Sequence, residues 1–139
     1  MSKTNILFFL IPKQKVTFVY DDYTLAEALE AMKTNRYSAI PILSRDNHYV
    51  GTLSEGDILW KVKSIPNFNF DQADKIKISE LDRLRDNDPV NVNSNMEILI
   101  SRATNENFVP VLDDDNQFLG IITRKQIINY FFEHKFIVL

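Results

Sequence analysis

The chain has 139 residues, 45% of them apolar, which suffices for one compact unit of ordinary size or two very small ones without metal or disulfide staples. It contains no cysteine, which excludes disulfides and thiolate metal sites and agrees with a cytoplasmic protein. The net charge of −3 gives no electrostatic footprint for nucleic acid.

Residues 6–11 form an apolar run that Pro12 stops. Crossing a bilayer takes ~20 residues, and no small-residue cleavage site follows. The run therefore reads as a buried strand or hydrophobic lead-in, not a membrane span or signal peptide. Residues 16–20, rich in β-branched and aromatic side chains, predict a strand, and Asp21-Asp22-Tyr23 a turn. Thr24 and Glu27 are spaced as a capping box, opening a helix with Leu25, Ala28, Leu29 and Met32 on one face. A strand at 39–43 follows, interrupted by Pro41; since proline donates nothing to a ladder, this strand is expected at an edge or with one side turned from pairing. Ser44-Arg45-Asp46-Asn47 has hairpin-turn composition. The strand at 49–53 carries Gly51, where a backbone or ligand could approach closely, and a helix at 55–63 completes the unit.

Residues 64–87 connect to a second copy, with Pro66-Asn67 breaking the helix and 71–81 long enough for one or two helical turns. The second copy has Val90 and Val92 in a short strand. Ser94-Asn95-Met96-Glu97 is a second capping box, and Met96, Leu99, Ile100 and Ala103 form an apolar helix face. A strand at 108–112 contains Pro110, the turn is Asp113-Asp114-Asp115-Asn116, the strand at 118–122 carries Gly120, and the last helix covers 124–134. The tail at 136–139 is apolar. The copies align at an offset of 70 through the first helix, so that Glu27 meets Glu97 and Leu29 meets Leu99, and at 69 afterwards, so that Pro41 meets Pro110 and Gly51 meets Gly120. Neither ~50-residue copy buries much surface alone, so the two are expected to share one core.

The apolar-Pro-apolar strand, the turn and Gly51-Thr52-Leu53-Ser54-Glu55-Gly56-Asp57, written twice at matching spacing, resemble the CBS domain, named after cystathionine β-synthase. The resemblance covers nearly the whole chain, which looks like a stand-alone tandem pair of bacterial type. It implies an α+β fold of two β-α-β-β-α repeats related by a pseudo-twofold. The first repeat would span 6–64, a connecting segment 65–80 and the second repeat 81–136. It also implies a non-enzymatic regulatory module, active as a homodimer with an unidentified regulated protein as partner. The expected ligand is an adenine nucleotide (AMP, ADP, ATP, S-adenosylmethionine or cyclic di-AMP) held in clefts between the repeats, with no cofactor required.

The resemblance places ligand contacts on Ser54 and Asp57, the family motif of the first copy. An ionised carboxylate is acceptor-only and takes both hydroxyls of a ribose, while the helix start suits the phosphate side. The same spacing serves equally as a plain capping box. In the second copy Thr123 matches, but Gln126 stands where the family has Asp, and an uncharged amide grips a diol less strongly. Arg124 and Lys125 oppose the dipole at that helix start, which a phosphate or mere solvation would explain. Arg83 and Arg85 lead the second copy as Lys13 and Lys15 lead the first, and face either phosphates or the acids around them. Adenine would be read by the backbone at Ser38-Ala39-Ile40-Pro41 and Asn107-Phe108-Val109-Pro110, with Tyr20, Tyr37 and Phe108 as stacking candidates; the alternative is that these are simply core residues. With only His48 and His134 and no Cys, the sequence offers no zinc site, and no nucleophile–base pair is visible. The second reading is a dimeric scaffold with vestigial clefts.

Overall fold

The computed structural model describes residues 5–35, 38–83 and 86–134. The chain opens with a 3-10 turn at Ile6–Phe9, strand β1 (Ile11–Pro12) and a second 3-10 turn at Lys13–Lys15. Strand β2 (Val19–Tyr20), helix α1 (Leu25–Asn35), β3 (Ala39–Leu43), β4 (Tyr49–Ser54) and α2 (Glu55–Ser64) form the first copy. Two 3-10 turns, Phe70–Lys75 and Ile78–Glu80, fill the connection. The second copy is β5 (Val90–Asn91), α3 (Met96–Asn105), β6 (Phe108–Leu112), β7 (Phe118–Thr123) and α4 (Arg124–Glu133). This is the expected α+β repeat. The first strand is shorter than the predicted 16–20, because Val16 closes the 3-10 turn instead, its N–H bonding the Lys13 carbonyl.

The chain forms two compact units, and they divide it differently from the repeats. One comprises the N-terminal residues up to Val16 together with those from Asn87 onward; the other is Thr17–Asp86. The apolar lead-in, which the sequence placed at the head of the first repeat, belongs to the unit of the second. Ile11 and Pro12 pair antiparallel with Ile121 and Gly120, giving the sheet order β1-β7-β6-β5. The other unit has the sheet β2-β3-β4.

Two buried clusters replace the single shared core expected. One gathers Leu25, Ala28, Met32, Ile40, Ile42 and Leu53 with Ala73, Ile78 and Leu81 from the connection. The other gathers Leu99, Ala103, Val109, Val111 and Ile122 with Ile6 and Phe9 from the lead-in. Each ~50-residue copy thus supplements its own apolar surface with a borrowed segment, which is how a unit this small reaches a usable core.

The proline strands are interior to their sheets, not at an edge. The two-residue parallel partner β2 pairs only Ile42 and Leu43, and β5 only Val111 and Leu112. Pro41 and Pro110 lie beyond these partners, so one side of each is turned from pairing, as the missing N–H requires. Both hairpin turns form as read. Asn47 (φ 67) and Asn116 (φ 61) take the left-handed conformation that asparagine tolerates, and each donates its N–H to Ser44 or Asp113.

The helices correct the alignment. Asn95, not Ser94, caps α3, its Oδ1 accepting from the Ile98 N–H at 2.9 Å. Thr24 caps α1 as expected, accepting from Glu27 N–H at 3.2 Å while Glu27 reaches back to Thr24 N–H at 3.0 Å. From the first strand through the buried face of the first helix the copies align at 71, not 70: Val19 corresponds to Val90, the cap Thr24 to Asn95, and Leu25, Ala28 and Met32 to Met96, Leu99 and Ala103. Ile100, assigned to the buried face, is 38% exposed.

Candidate functional site

In the first copy, β4 runs directly into α2, and Ser54 ends the one and caps the other. Ser54 Oγ accepts from the Asp57 N–H at 3.1 Å, and Asp57 Oδ2 accepts from the Ser54 N–H at 3.0 Å. Asp57 is 5% exposed. The two bonds close a reciprocal capping box at the start of α2. The antiparallel register sets Ala39 opposite Ser54, Ile40 opposite Leu53 and Pro41 opposite Thr52. The proposed adenine-reading strand and the Ser54–Asp57 pair are therefore brought side by side. Ile40 and Pro41 have buried side chains, so they could meet a ligand only through their backbone.

The second copy repeats this geometry with different chemistry. Thr123 Oγ1 accepts from the Gln126 N–H at 3.2 Å, and Gln126 Oε1 accepts from the Thr123 N–H at 3.1 Å. Phe108 lies opposite Thr123, and Val109 opposite Ile122. The Phe108 carbonyl accepts from the buried Asn87 amide at 2.8 Å. The Phe108 and Val109 side chains are buried in their unit.

The remaining candidates are arranged less simply. Tyr20 sits opposite Leu43, at the other end of β3 from Ala39, about 13 Å along the strand. Its ring carries the Arg45 guanidinium at 3.9 Å from the centroid, and Asp22 holds that guanidinium through two bonds of 2.8 and 2.9 Å. One face of Tyr20 is thus covered by the protein itself. The hydrogen bond to Arg45 holds the Asp22 carboxyl below its ordinary range. Sequence reading missed Arg45, since a turn arginine gives no signal of stacking on a ring 25 residues earlier.

Arg83 is engaged as well. Its Nε donates to Asp86 Oδ1 at 3.0 Å, and that oxygen also accepts the Thr52 N–H at 3.0 Å. Burial pulls the Asp86 carboxyl upward, but the Arg83 and Thr52 bonds outweigh it and leave the carboxyl below its ordinary value. The close approach anticipated at Gly51 is made by this pair: a Cβ there would collide with the Asp86 carboxylate and the Arg83 guanidinium. At Gly120 (φ +155) the approach is made by the Ile11 carbonyl. Arg85 and Tyr37 lie outside the described residues, as does the apolar tail.

Arg124 resolves its apparent conflict with the dipole. Its Nε donates to the Ala103 carbonyl at 2.7 Å, in the last turn of α3, so it serves the negative end of one helix from the start of another. Arg124 and Lys125 line a cavity of about 400 Å³ with Asn107, Thr123, Ile128 and Asn129. In the other unit a mostly apolar groove of about 730 Å³ is lined by Leu29, Met32, Ile58, Leu59, Val62 and Phe70, among others. Among the described residues no cluster of three or more His, Cys, Asp or Glu could hold a metal, and no helix is long and apolar enough to cross a membrane.

The sequence model of the CBS domain matches residues 10–64 and 85–133. The chain belongs to the CBS domain family. It is similar to the cyclic di-AMP receptor B of Bacillus subtilis, at 28% identity over 131 residues, 91% of this chain and 85% of that protein. It is similar in structure to CbpB crystallised in complex with c-di-AMP, with a TM-score of 0.82, 25% identity and coverage of 96% and 89%. It also matches inosine-5'-monophosphate dehydrogenase of Methanocaldococcus jannaschii at 27% identity over 86% of this chain, but this spans only 22% of that enzyme. In this CBS pair, the Ser54–Asp57 and Thr123–Gln126 boxes are the equivalent positions of the two repeats.

Proposed function

We propose that the protein is a cytoplasmic regulatory module that binds an adenine nucleotide, with cyclic di-AMP the favoured ligand, and passes its occupancy to a partner. The observation that carries this reading is the Ser54–Asp57 pair. Asp57 is a nearly buried carboxylate at a helix start whose cap, Ser54, lies opposite Ala39, in a chain similar to a cyclic di-AMP receptor. Asp57 would accept the ribose hydroxyls, Ser54 and the first turn of α2 would face phosphate, and Ala39, Ile40 and Pro41 would present backbone groups to adenine. In the second copy Phe108, Val109, Thr123, Gln126 and Arg124 would form a site of weaker ribose affinity. Binding shifts an equilibrium only by its differential affinity for two arrangements, so a signal requires that a partner read one of them.

The exposed side chains of Leu59, Trp60 and Phe70 in one unit, and of Ile128 and Phe132 in the other, support association of two copies as a homodimer. A scaffold with vestigial clefts is the second reading, favoured by the fact that both capping boxes satisfy their own backbone groups. Thermal-shift screening against AMP, ADP, ATP, S-adenosylmethionine and cyclic di-AMP separates the two. A nucleotide sensor is stabilised by at least one of them, in line with mass action. No shift at millimolar ligand leaves the scaffold.

A further inference from the structure

We infer that Asp86 is a positioning residue that fixes the guanidinium of Arg83 for an anionic ligand. The inference rests on the nucleotide reading above and adds how one of its phosphate contacts is built. Asp86 is itself anchored: its Oδ1 accepts from the Thr52 N–H, on the strand that ends in Ser54. Thr52 and Ser54 are two residues apart on β4, about 7 Å. The anchored carboxylate holds Arg83 side-on, through Nε to Oδ1 at 3.0 Å and Nη2 to Oδ2 at 3.4 Å.

A guanidinium has five N–H donors in a rigid plane. The side-on contact uses the Nε donor and one on Nη2, which leaves the two on Nη1 and the outer one on Nη2 as an end-on fork. Among the described residues no other acceptor bonds this guanidinium. The fork matches two oxygens of a phosphate. The side chains of Arg83 and Asp86 are 23% and 40% exposed, so the pair is seated yet reachable. Gly51 provides the seat, since a Cβ there would collide with both groups. The second copy has no counterpart, because its matching edge at Gly120 and Ile121 is covered by the backbone of β1.

The test is a double-mutant cycle on the full chain, read by isothermal titration with cyclic di-AMP. Arg83→Ala should weaken binding about tenfold, the scale of a charge-assisted bond lost, and Asp86→Ala should weaken it comparably. The double variant should bind no more weakly than Arg83→Ala alone, because Asp86 acts only through Arg83. A merely structural Asp86 would give the same loss in both backgrounds, and that result overturns the inference. So does Asp86→Ala binding as tightly as wild type or more tightly, as expected if the carboxylate only competes with phosphate. If Asp86→Ala does not fold, Asp86→Asn keeps an acceptor for Thr52 and is held to the same outcomes. Wild-type protein that binds no cyclic di-AMP overturns the assignment of cyclic di-AMP as ligand, and this inference with it; wild-type binding with a failed cycle overturns this inference alone.

Discussion

The two copies solve the same problems with different materials. Each has a glycine strand whose outer edge must be covered. In the second copy a strand does this, with the Ile11 carbonyl pressed against Gly120. In the first copy the ion pair of Arg83 and Asp86 does it, with the Asp86 carboxylate taking the Thr52 N–H. Each copy also caps its last helix with a reciprocal box, charged in the first and neutral in the second. A neutral amide and a backbone strand suffice for architecture. A carboxylate and a guanidinium at the equivalent places are more than architecture needs, and under the proposed function the first copy is the one that binds the charged, hydroxyl-bearing ligand more tightly.

The largest expected effect tests which residues correspond. Leu99 is fully buried, and Leu29, its partner at an offset of 70, is only partly so. Leu99→Ala should cost about 2–5 kcal/mol of stability, and Leu29→Ala about 1 kcal/mol. Equal losses on chemical denaturation would restore the offset of 70. Next come the glycines. Gly120→Ala places a Cβ against a backbone carbonyl at a strained φ and should cost about 3 kcal/mol. Gly51→Ala meets side chains that swing away, losing one partly exposed ion pair and its backbone bond, about 1 kcal/mol. A reversed order would mean that the side-chain seal is the more rigid of the two. The smallest effect concerns the caps. Asn95→Ala should lower stability by about 1 kcal/mol, whereas Ser94→Ala should change it by less than about 0.5 kcal/mol.

Much of the fold was legible because its signals are local. Apolar periodicity, the Thr24–Glu27 box, asparagine turns and the repeated proline strands each act within a few residues, and each element formed where they pointed. The cap at Asn95 was missed because Ser94 and Asn95 are both good caps, and only the buried face of α3 decides between them. The exchange of lead-in segments between units was not legible either, since β1 is two residues long and its pairing is set by contacts more than 100 residues away. At the candidate site, the reciprocal capping box of Ser54 and Asp57 could be read from spacing, whereas its ligand role came from the family resemblance. That Gly51 makes room for Asp86, that Arg45 covers Tyr20 and that Arg124 serves the end of α3 are contacts between distant side chains, with no periodic trace in the sequence.

Titration of cyclic di-AMP into wild type, Asp57→Ala and Gln126→Ala, with thermal melts to verify folding, tests the central claim most directly. Wild type is expected to bind, Asp57→Ala to lose more than about tenfold in affinity, and Gln126→Ala to lose less. Wild type that binds nothing, or a folded Asp57→Ala that binds like wild type while Gln126→Ala does not, would contradict it.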